Sequence, residues 1–83
     1  MPSTLSSDAY AAFVEVMKEA RANAGLTQAE LAERLNQPQS LISKNERRER
    51  RIDVVEFLEL AGALGVDPGV LLRAVIKRIE AEG

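Results

Sequence analysis

The sequence predicts an all-α fold, a compact five-helix bundle formed by one domain over residues 1–83. The first observation is composition: Ala, Leu, Glu, Arg and Val dominate and only 4% of residues are aromatic, which favours helix over sheet. The second is a helix-start pattern that occurs three times, in which an apolar residue precedes a capping residue and Glu or Pro follows. The third is a helical period of apolar residues with short connections, which indicates one compact unit.

The first helix is predicted from about Ser7 to about Ala24, after an N-terminal arm over residues 1–6. Its apolar residues have the i, i+3, i+4, i+7 spacing of an amphipathic helix, and they are Tyr10, Phe13, Val14 and Met17. Gly25 stands where a residue in the left-handed conformation would close this helix.

The second and third helices are short and lie close together in the sequence. The second is predicted over about residues 28–35, because Thr27 and Glu30 can form a capping box. Asn36 is expected to end it in a left-handed conformation. The third helix is predicted over about residues 38–47, and it begins at a proline whose fixed φ suits a first helical turn.

The fourth and fifth helices repeat the same start chemistry. Asp53 caps the fourth with Glu56 at its third position, and Asp67 caps the fifth with a proline at its first position. A glycine at position 65 ends the fourth helix. Its predicted inward face is Val54, Phe57, Leu58, Ala61 and Leu64. The predicted apolar stripe of the fifth helix is Leu72, Val75, Ile76 and Ile79.

The charges are distributed unevenly along the chain. The formal net charge is −2, which by itself argues against a nucleic-acid partner. The segment over residues 44–51 nevertheless contains five basic residues and two acidic ones, and a local basic cluster is the electrostatic feature that matters for DNA binding. Its basic members are Lys44, Arg47, Arg48, Arg50 and Arg51. A solvated loop with scattered charges is the alternative interpretation.

The third helix has one polar edge and one apolar edge. With about 100° per residue, Leu41 and Ile42 lie on the apolar edge, with Asn45 between them. The polar edge carries Gln39, Ser40, Ser43 and Lys44, with Arg47 in line with them. Glutamine can contact adenine N6 and N7, lysine can reach guanine O6 and N7, and serine is permissive. These four residues are therefore candidates for base reading, although an ordinary amphipathic surface helix would give the same pattern.

Several classes of protein are disfavoured by the sequence. It contains no Cys and no His, so a disulfide, a thiolate metal site and the commonest general base are excluded. No cofactor signature or small-molecule site is evident, and the serines have no histidine partner, so no catalytic residues are expected. The chain begins without the basic and apolar regions of a secretory signal, and no apolar run approaches the roughly 20 residues of a membrane span. A cytoplasmic protein is expected.

Three motifs in order, LTQAELAERL, PQSLISKNER and LELAGALGVDPGVLL, resemble the phage-repressor-like helix-turn-helix family of Cro/C1 (XRE) type. The resemblance covers about residues 5–72. It implies a lambda-repressor-like DNA-binding domain, with the helix-turn-helix over residues 27–47, that binds operator DNA as a dimer on inverted half-sites. Asn45 and Arg48 depart from the family pattern, since an apolar or aromatic residue and a glycine are usual at those positions.

The resemblance also implies roles for individual residues. Gln28 stands where the family has a phosphate-contacting glutamine, and Gln39 stands at the principal base-reading position. Arg21 and Glu46 match a structural salt bridge between the first and third helices, which is a role in the fold and not in DNA contact. The remaining expected phosphate contacts are the cationic residues Arg47, Arg48, Arg50 and Arg51.

Two functions remain open from the sequence. The first is a sequence-specific transcriptional regulator, a repressor, that reads the major groove with its third helix. The second is an antitoxin or a protein-interaction adaptor on the same fold, with little or no DNA binding. The C-terminal helix over residues 67–80 bears on both, because Ile76 and Ile79 extend past the expected core and would meet a second chain. A homodimer is the economical partner, because its two-fold symmetry matches inverted-repeat DNA.

Overall fold

Five α-helices joined by short turns make up residues 7–82, the part of the chain that the structure, a computed structural model, describes. In chain order they are α1 (Asp8–Asn23), α2 (Gln28–Arg34), α3 (Gln39–Glu46), α4 (Val54–Leu64) and α5 (Pro68–Glu82). The all-α five-helix fold predicted from the sequence is therefore confirmed. The N-terminal arm expected over residues 1–6 lies outside the described residues.

Both predicted capping boxes are present. In α2 the Thr27 hydroxyl accepts a hydrogen bond from Glu30 N at 3.0 Å, and the Glu30 carboxylate accepts one from Thr27 N at 2.8 Å. Asp53 and Glu56 make the same reciprocal pair at the start of α4, with distances of 2.7 and 3.2 Å. Each cap contributes about 1 kcal/mol by satisfying backbone N–H groups that the helix leaves free. Pro38 precedes α3 as its N-cap and does not enter the first turn.

Two turns around α3 are closed by residues other than glycine in the left-handed conformation. Asn36 ends the turn after α2 with φ of 58°, as its residue type predicts, and Arg48 follows α3 with φ of 61°. Asparagine tolerates this region because its short polar side chain can bond locally, whereas arginine has no such compensation. The turn after α3 therefore carries backbone strain at Arg48.

One apolar core lies between the helices. α2 packs on α3, α1 packs on both α3 and α5, and α4 packs on α2 and α5. The buried cluster consists of Val16, Met17, Leu31, Ala32, Ile42, Phe57, Leu60, Ala61, Leu64, Leu71 and Val75. Because α3 contributes Ile42 to this cluster and half-buried Leu41 to its edge, its opposite side is left facing solvent. The core thereby fixes which edge of α3 is available for binding.

The predicted inward face of α4 is partly wrong. Val54 and Leu58 were expected inside, but their side chains are 72% and 51% exposed, and Leu60 is buried in their place. Leu60 completes the buried stripe with Phe57, and at about 100° per residue Leu58 falls outside it. Val54 has a suitable angle but lies in the first turn, at the end of the helix.

The apolar stripe predicted on α5 is divided between two faces. Val75 points inward together with Leu71, whereas Leu72, Ile76 and Ile79 are exposed. Leu72 belongs to the predicted stripe, but it lies about 100° around the helix from buried Leu71 and is exposed. Leu72, Ile76 and Ile79, spaced i, i+4 and i+7, therefore form an apolar outer face on α5.

Candidate nucleic-acid interface

The polar edge of α3 is open to solvent. Gln39, Ser40 and Lys44 are exposed, and Ser43 is half-buried between them. Ile42, on the other side of the helix, is almost completely buried. The structure therefore brings the four side chains expected to read bases onto one accessible edge, which we call the α3 ridge (Gln39, Ser40, Ser43 and Lys44). Gln39 and Ser43 each make one hydrogen bond within the chain, to Gln28 and from Arg47, and their side chains keep further donors or acceptors.

An ion pair fixes α3 against α1. Arg21 Nε donates to Glu46 Oε2 at 2.7 Å and Arg21 Nη2 donates to Glu46 Oε1 at 3.0 Å, while Arg21 Nη1 donates to Leu26 O at 2.9 Å. The two charged side chains are only 19% and 11% exposed. Burial by itself would raise the pKa of Glu46, but hydrogen bonds from Arg21 and Gln28 and the Arg21 charge lower it overall. The pair expected between the first and third helices is thus formed with bidentate geometry, which is the strongest arrangement for arginine and carboxylate.

A chain of side-chain amides connects this ion pair to the ridge. Gln28 Nε2 donates to Glu46 Oε1 at 2.9 Å, and Gln39 Nε2 donates to Gln28 Oε1 at 3.3 Å. Gln28, which was expected to contact phosphate, is half-buried and has one Nε2 hydrogen engaged with Glu46. Its second Nε2 hydrogen points to no protein acceptor among the hydrogen bonds found in residues 7–82.

The basic residues after α3 have different environments. Arg47 donates to Glu49 at 2.9 and 3.1 Å and to the Ser43 hydroxyl, and it is exposed. Arg48 is exposed. Arg51 is also exposed, with its guanidinium 5.2 Å from the centre of the Tyr10 ring. All three cations follow the C-terminal end of α3 in the chain, and Arg47 contacts the ridge directly through Ser43.

Arg50 has a different position from the one expected. Its guanidinium donates to Glu56 and, at 3.4 Å, to the Oδ1 of Asn45. The hydrogen bond from Arg50 lowers the pKa of the Glu56 carboxyl and outweighs the effect of burial, which would raise it. Arg50 therefore joins the end of α3 to the start of α4 and is directed toward the protein. No periodic pattern indicates this contact, because Glu56 comes six positions after Arg50 and only Glu56 lies in a helix.

Asn45, an amide at a position that points toward the core, is 3% exposed. A buried amide without partners would cost about 1–3 kcal/mol, and the contact from Arg50 supplies one. Within residues 7–82, every buried side-chain nitrogen and oxygen has a hydrogen-bond partner. The departure of Asn45 from the family pattern is therefore accommodated by Arg50.

Tyr10 fixes the same loop from the other side. Its hydroxyl oxygen accepts a hydrogen bond from Ile52 N at 3.0 Å, and its ring lies beside Phe13 with centroids 5.7 Å apart. Sequence reasoning assigned Tyr10 only to the apolar stripe of α1, because its contact with position 52 joins residues far apart in the chain. The loop over residues 48–53 is thus attached to α1 and to α4, which holds its cations in a defined place.

Within residues 7–82, no helix combines the length and the apolar character that a membrane span would need.

The chain is similar to proteins of one known family. A family model described as helix-turn-helix, of Cro/C1 (XRE) type, matches residues 17–71. An XRE-family-like protein from Pseudomonas syringae pv. tomato str. DC3000 has a structure with TM-score 0.78 and 46% identity, which covers 83% of this chain and 84% of that chain. The wild-type restriction-modification controller protein C.Esp1396I has TM-score 0.82 and 29% identity, over 88% of this chain and 94% of that chain. No curated protein matches the chain significantly.

Proposed function

Because the chain belongs to the Cro/C1-type (XRE) helix-turn-helix family and is a DNA-binding transcription regulator, we propose that it is a sequence-specific repressor that binds operator DNA as a homodimer. Regulators of this family are non-enzymatic DNA-binding proteins. The observation that carries the proposal is the α3 ridge, which is polar, open and bordered by exposed cations. The proposal places the protein in the cytoplasm with its DNA target.

In this proposal α3 lies in the major groove with its first turn toward the base edges. Gln39 offers one donor and one acceptor, which match N7 and N6 of adenine. Lys44 lies one turn further along and is long enough to reach O6 and N7 of guanine. The hydroxyls of Ser40 and Ser43 can donate to an acceptor or accept from a donor on a base edge. These two short side chains therefore let α3 approach the bases closely, but they discriminate between bases less than Gln39 and Lys44 do. Leu41 and Ile42 anchor the helix to the core while these contacts form.

The phosphate contacts are assigned to exposed cations. Arg47, Arg48 and Arg51 supply charge at the border of the ridge, and Gln28 has one amide hydrogen available beside it. Phosphate contacts position a protein on DNA and carry no sequence information directly. Arg50 is left out of this group, because its guanidinium already bonds to Glu56 and Asn45, and we assign it a positioning role for the loop.

The homodimer is supported by the apolar outer face of α5. Leu72, Ile76 and Ile79 expose apolar area that contributes nothing to the core of one chain. A second copy that covered this face would bury it and place two α3 ridges on one duplex. The half-sites would then lie about 34–36 Å apart, one turn of the double helix. Such a dimer would repress transcription by binding to promoter DNA and sterically excluding other proteins from it.

Selection of bound sites from random duplexes, combined with the mass of the protein in solution, tests the proposal. We expect a selected inverted repeat and a dimeric mass. Gln39→Ala should relax selection at one base pair of each half-site by roughly 1–3 kcal/mol. Arg51→Ala should weaken binding to all sequences alike and reduce the salt slope by about 1. Lys77→Ala, which removes one exposed cation from α5 farther around the helix from Leu72, Ile76 and Ile79, serves as the control and should alter neither.

The second candidate function predicts the opposite result for DNA binding. An antitoxin or adaptor would use the apolar face of α5 for another protein, and its α3 ridge would bind no particular duplex. Absence of binding to any duplex at low salt would therefore overturn the proposal in favour of the adaptor. Equal losses on selected and random DNA for Gln39→Ala would retain DNA binding but remove base reading by Gln39.

A further inference from the structure

A continuous line of hydrogen bonds runs from the interior to the first residue of the α3 ridge. Arg21 donates twice to Glu46, Gln28 donates to Glu46 at 2.9 Å, and Gln39 donates to Gln28 at 3.3 Å. We call Glu46, Gln28 and Gln39 the amide relay. Its inner end is nearly buried and its outer end is exposed. The relay therefore joins a residue whose role is in the fold to the residue best placed to read a base.

The chemistry of the inner end sets the orientation of every member. An ionised carboxylate only accepts hydrogen bonds, so Gln28 must turn its Nε2 toward Glu46. Its Oε1 then faces Gln39, and Gln39 must turn its Nε2 toward Gln28. One hydrogen of Gln39 Nε2 and both lone pairs of its Oε1 remain for a partner in the groove. A glutamine amide with no such neighbours can turn over, since its two ends are nearly equal in shape.

We propose that the Arg21–Glu46 ion pair acts as a specificity device, fixing the orientation of the Gln39 amide through Gln28 and thereby favouring adenine at the base that Gln39 contacts. The inference rests on the proposed function, because it requires Gln39 to face a base edge. Adenine presents an N7 acceptor beside an N6 donor, and the oriented amide presents the complementary donor and acceptor. Glu46 and Gln28 are positioning residues, since they act on DNA only through Gln39.

The first test removes the middle of the relay and leaves the ion pair in place. Gln28→Met preserves the length of the side chain and its suitability for helix but neither donates nor accepts strongly. We expect the preference for adenine at the base that Gln39 contacts to fall about three- to tenfold. Without Gln28 the Gln39 side chain is free to turn, and fixing it on binding then costs conformational entropy. The matched control is Gln37→Met, the same change beside Arg34 and Glu59 in a groove next to α4, and it should keep the preference.

A double-mutant comparison separates positioning from direct contact. The effect of Gln28→Met on base preference should disappear when Gln39→Ala is already present, because the relay then has no outer end. A loss of phosphate contact by Gln28 would lower affinity for every sequence and would persist in that background. The quantity to compare is therefore the ratio of affinities for adenine and for the other bases at one position.

The second test reverses the inner end of the relay. Exchanging the charges by Arg21→Glu with Glu46→Arg retains an ion pair but places a donor-only group beside Gln28. Gln28 and Gln39 should both turn over, and adenine preference should fall at least about threefold. If the exchanged protein does not fold, a measurement on the free protein decides. The heteronuclear nuclear Overhauser effect of the Gln39 side-chain NH2, measured without DNA, should show an ordered amide in the wild type and a mobile amide in Gln28→Met.

The outcomes separate the two proposals. If the wild type selects no base, the proposed function fails and the inference fails with it. If the wild type selects adenine and Gln39→Ala loses it, while Gln28→Met retains the full preference, the inference alone is overturned. Equal mobility of the Gln39 amide in the wild type and in Gln28→Met would also overturn it.

Discussion

Arg48, a single residue, holds the left-handed turn at the end of α3 with φ of 61°. A residue with a Cβ pays roughly 1–2 kcal/mol for this conformation, while glycine costs about 0.5–1 kcal/mol through its freer unfolded chain. We therefore expect Arg48→Gly to raise the free energy of unfolding by about 0.5–1 kcal/mol, as measured by urea denaturation.

Glu49→Gly is the control for this change. The neighbouring Glu49 has no positive φ among the described residues, and its carboxylate accepts from Arg47. The substitution should therefore lower the free energy of unfolding, since it adds freedom to the unfolded chain and removes the hydrogen bonds from Arg47. A protein with Arg48→Gly that unfolds at a lower urea concentration than the wild type would show that the arginine side chain contributes more than its backbone strain costs.

Glu46 links stability to pH. Burial opposes ionisation, but the hydrogen bonds from Arg21 and Gln28 and the charge of Arg21 lower its pKa below the ordinary value of 4.5. A carboxyl with a lowered folded pKa adds stability above its unfolded pKa, and that stability is lost as pH falls through the folded pKa. The free energy of unfolding should therefore decrease below about pH 4.5, and Glu46 should account for part of the decrease.

Glu46→Gln isolates that part. Near pH 7 the substitution should cost about 2–4 kcal/mol, because Arg21 loses its charged partner in a largely buried site. The difference from the wild type should become smaller as pH is lowered, since protonation removes the same charge. Exposed carboxylates such as Glu30, whose pKa is also lowered by its capping hydrogen bonds, are present in both proteins and cancel. A difference that stayed constant from about pH 7 to about pH 3.5 would contradict this role for Glu46.

At the scale of whole elements, α4 contains a glycine that no backbone feature requires. Gly62 lies within the helix, and a Cβ added there would meet nothing within 4 Å. Gly62→Ala should therefore raise the free energy of unfolding by about 0.8–1.0 kcal/mol, the difference in helix propensity. Gly65, with φ of 72°, provides the contrast, and Gly65→Ala should lower it by about 1 kcal/mol or more. Thermal or urea unfolding of the pair decides, and a stabilising Gly65→Ala would refute the reasoning.

The ends of the helices could be predicted because their signals are local. A capping box such as Thr27 with Glu30 involves residues three apart, and its geometry follows from the helix itself. The α3 ridge was predictable for the same reason, since one helical period places Gln39 and Lys44 on one edge. The inward face of α4 was less predictable, because exposure of Val54 depends on where neighbouring helices end.

Contacts between elements required the structure. The bond from Arg50 to Glu56 turns a cation of the basic cluster toward the protein, and the sequence contains no period that indicates it. The amide relay has the same character, because Gln28 and Glu46 are 18 positions apart. The family resemblance supplied the Arg21–Glu46 pair, but it did not supply the hydrogen bond that connects this pair to Gln39 through Gln28.

At the scale of the molecule, DNA binding requires that charge and symmetry act together. The chain has a net charge of −2, so a single copy has little general attraction to DNA beyond the cations that border the α3 ridge. Two copies double the number of phosphate contacts on one duplex, and the affinity of linked sites exceeds that of either one. In the proposed homodimer, association through α5 is therefore the step on which operator affinity should depend most strongly.

Ile76→Glu tests this dependence. A carboxylate in the centre of the outer face of Leu72, Ile76 and Ile79 would have to be desolvated in the dimer, at a cost of several kcal/mol for each copy. We expect a monomer by sedimentation at micromolar concentration and at least about tenfold weaker binding to an inverted repeat. Binding to one half-site should change little, because α3 is untouched. Ala74→Glu adds the same charge to α5 about 200° around the helix from Ile76, and it should leave the dimer intact. A dimeric mass for Ile76→Glu would place the interface elsewhere, with the exposed side chains of α4, Val54 and Leu58, as the next surface to alter.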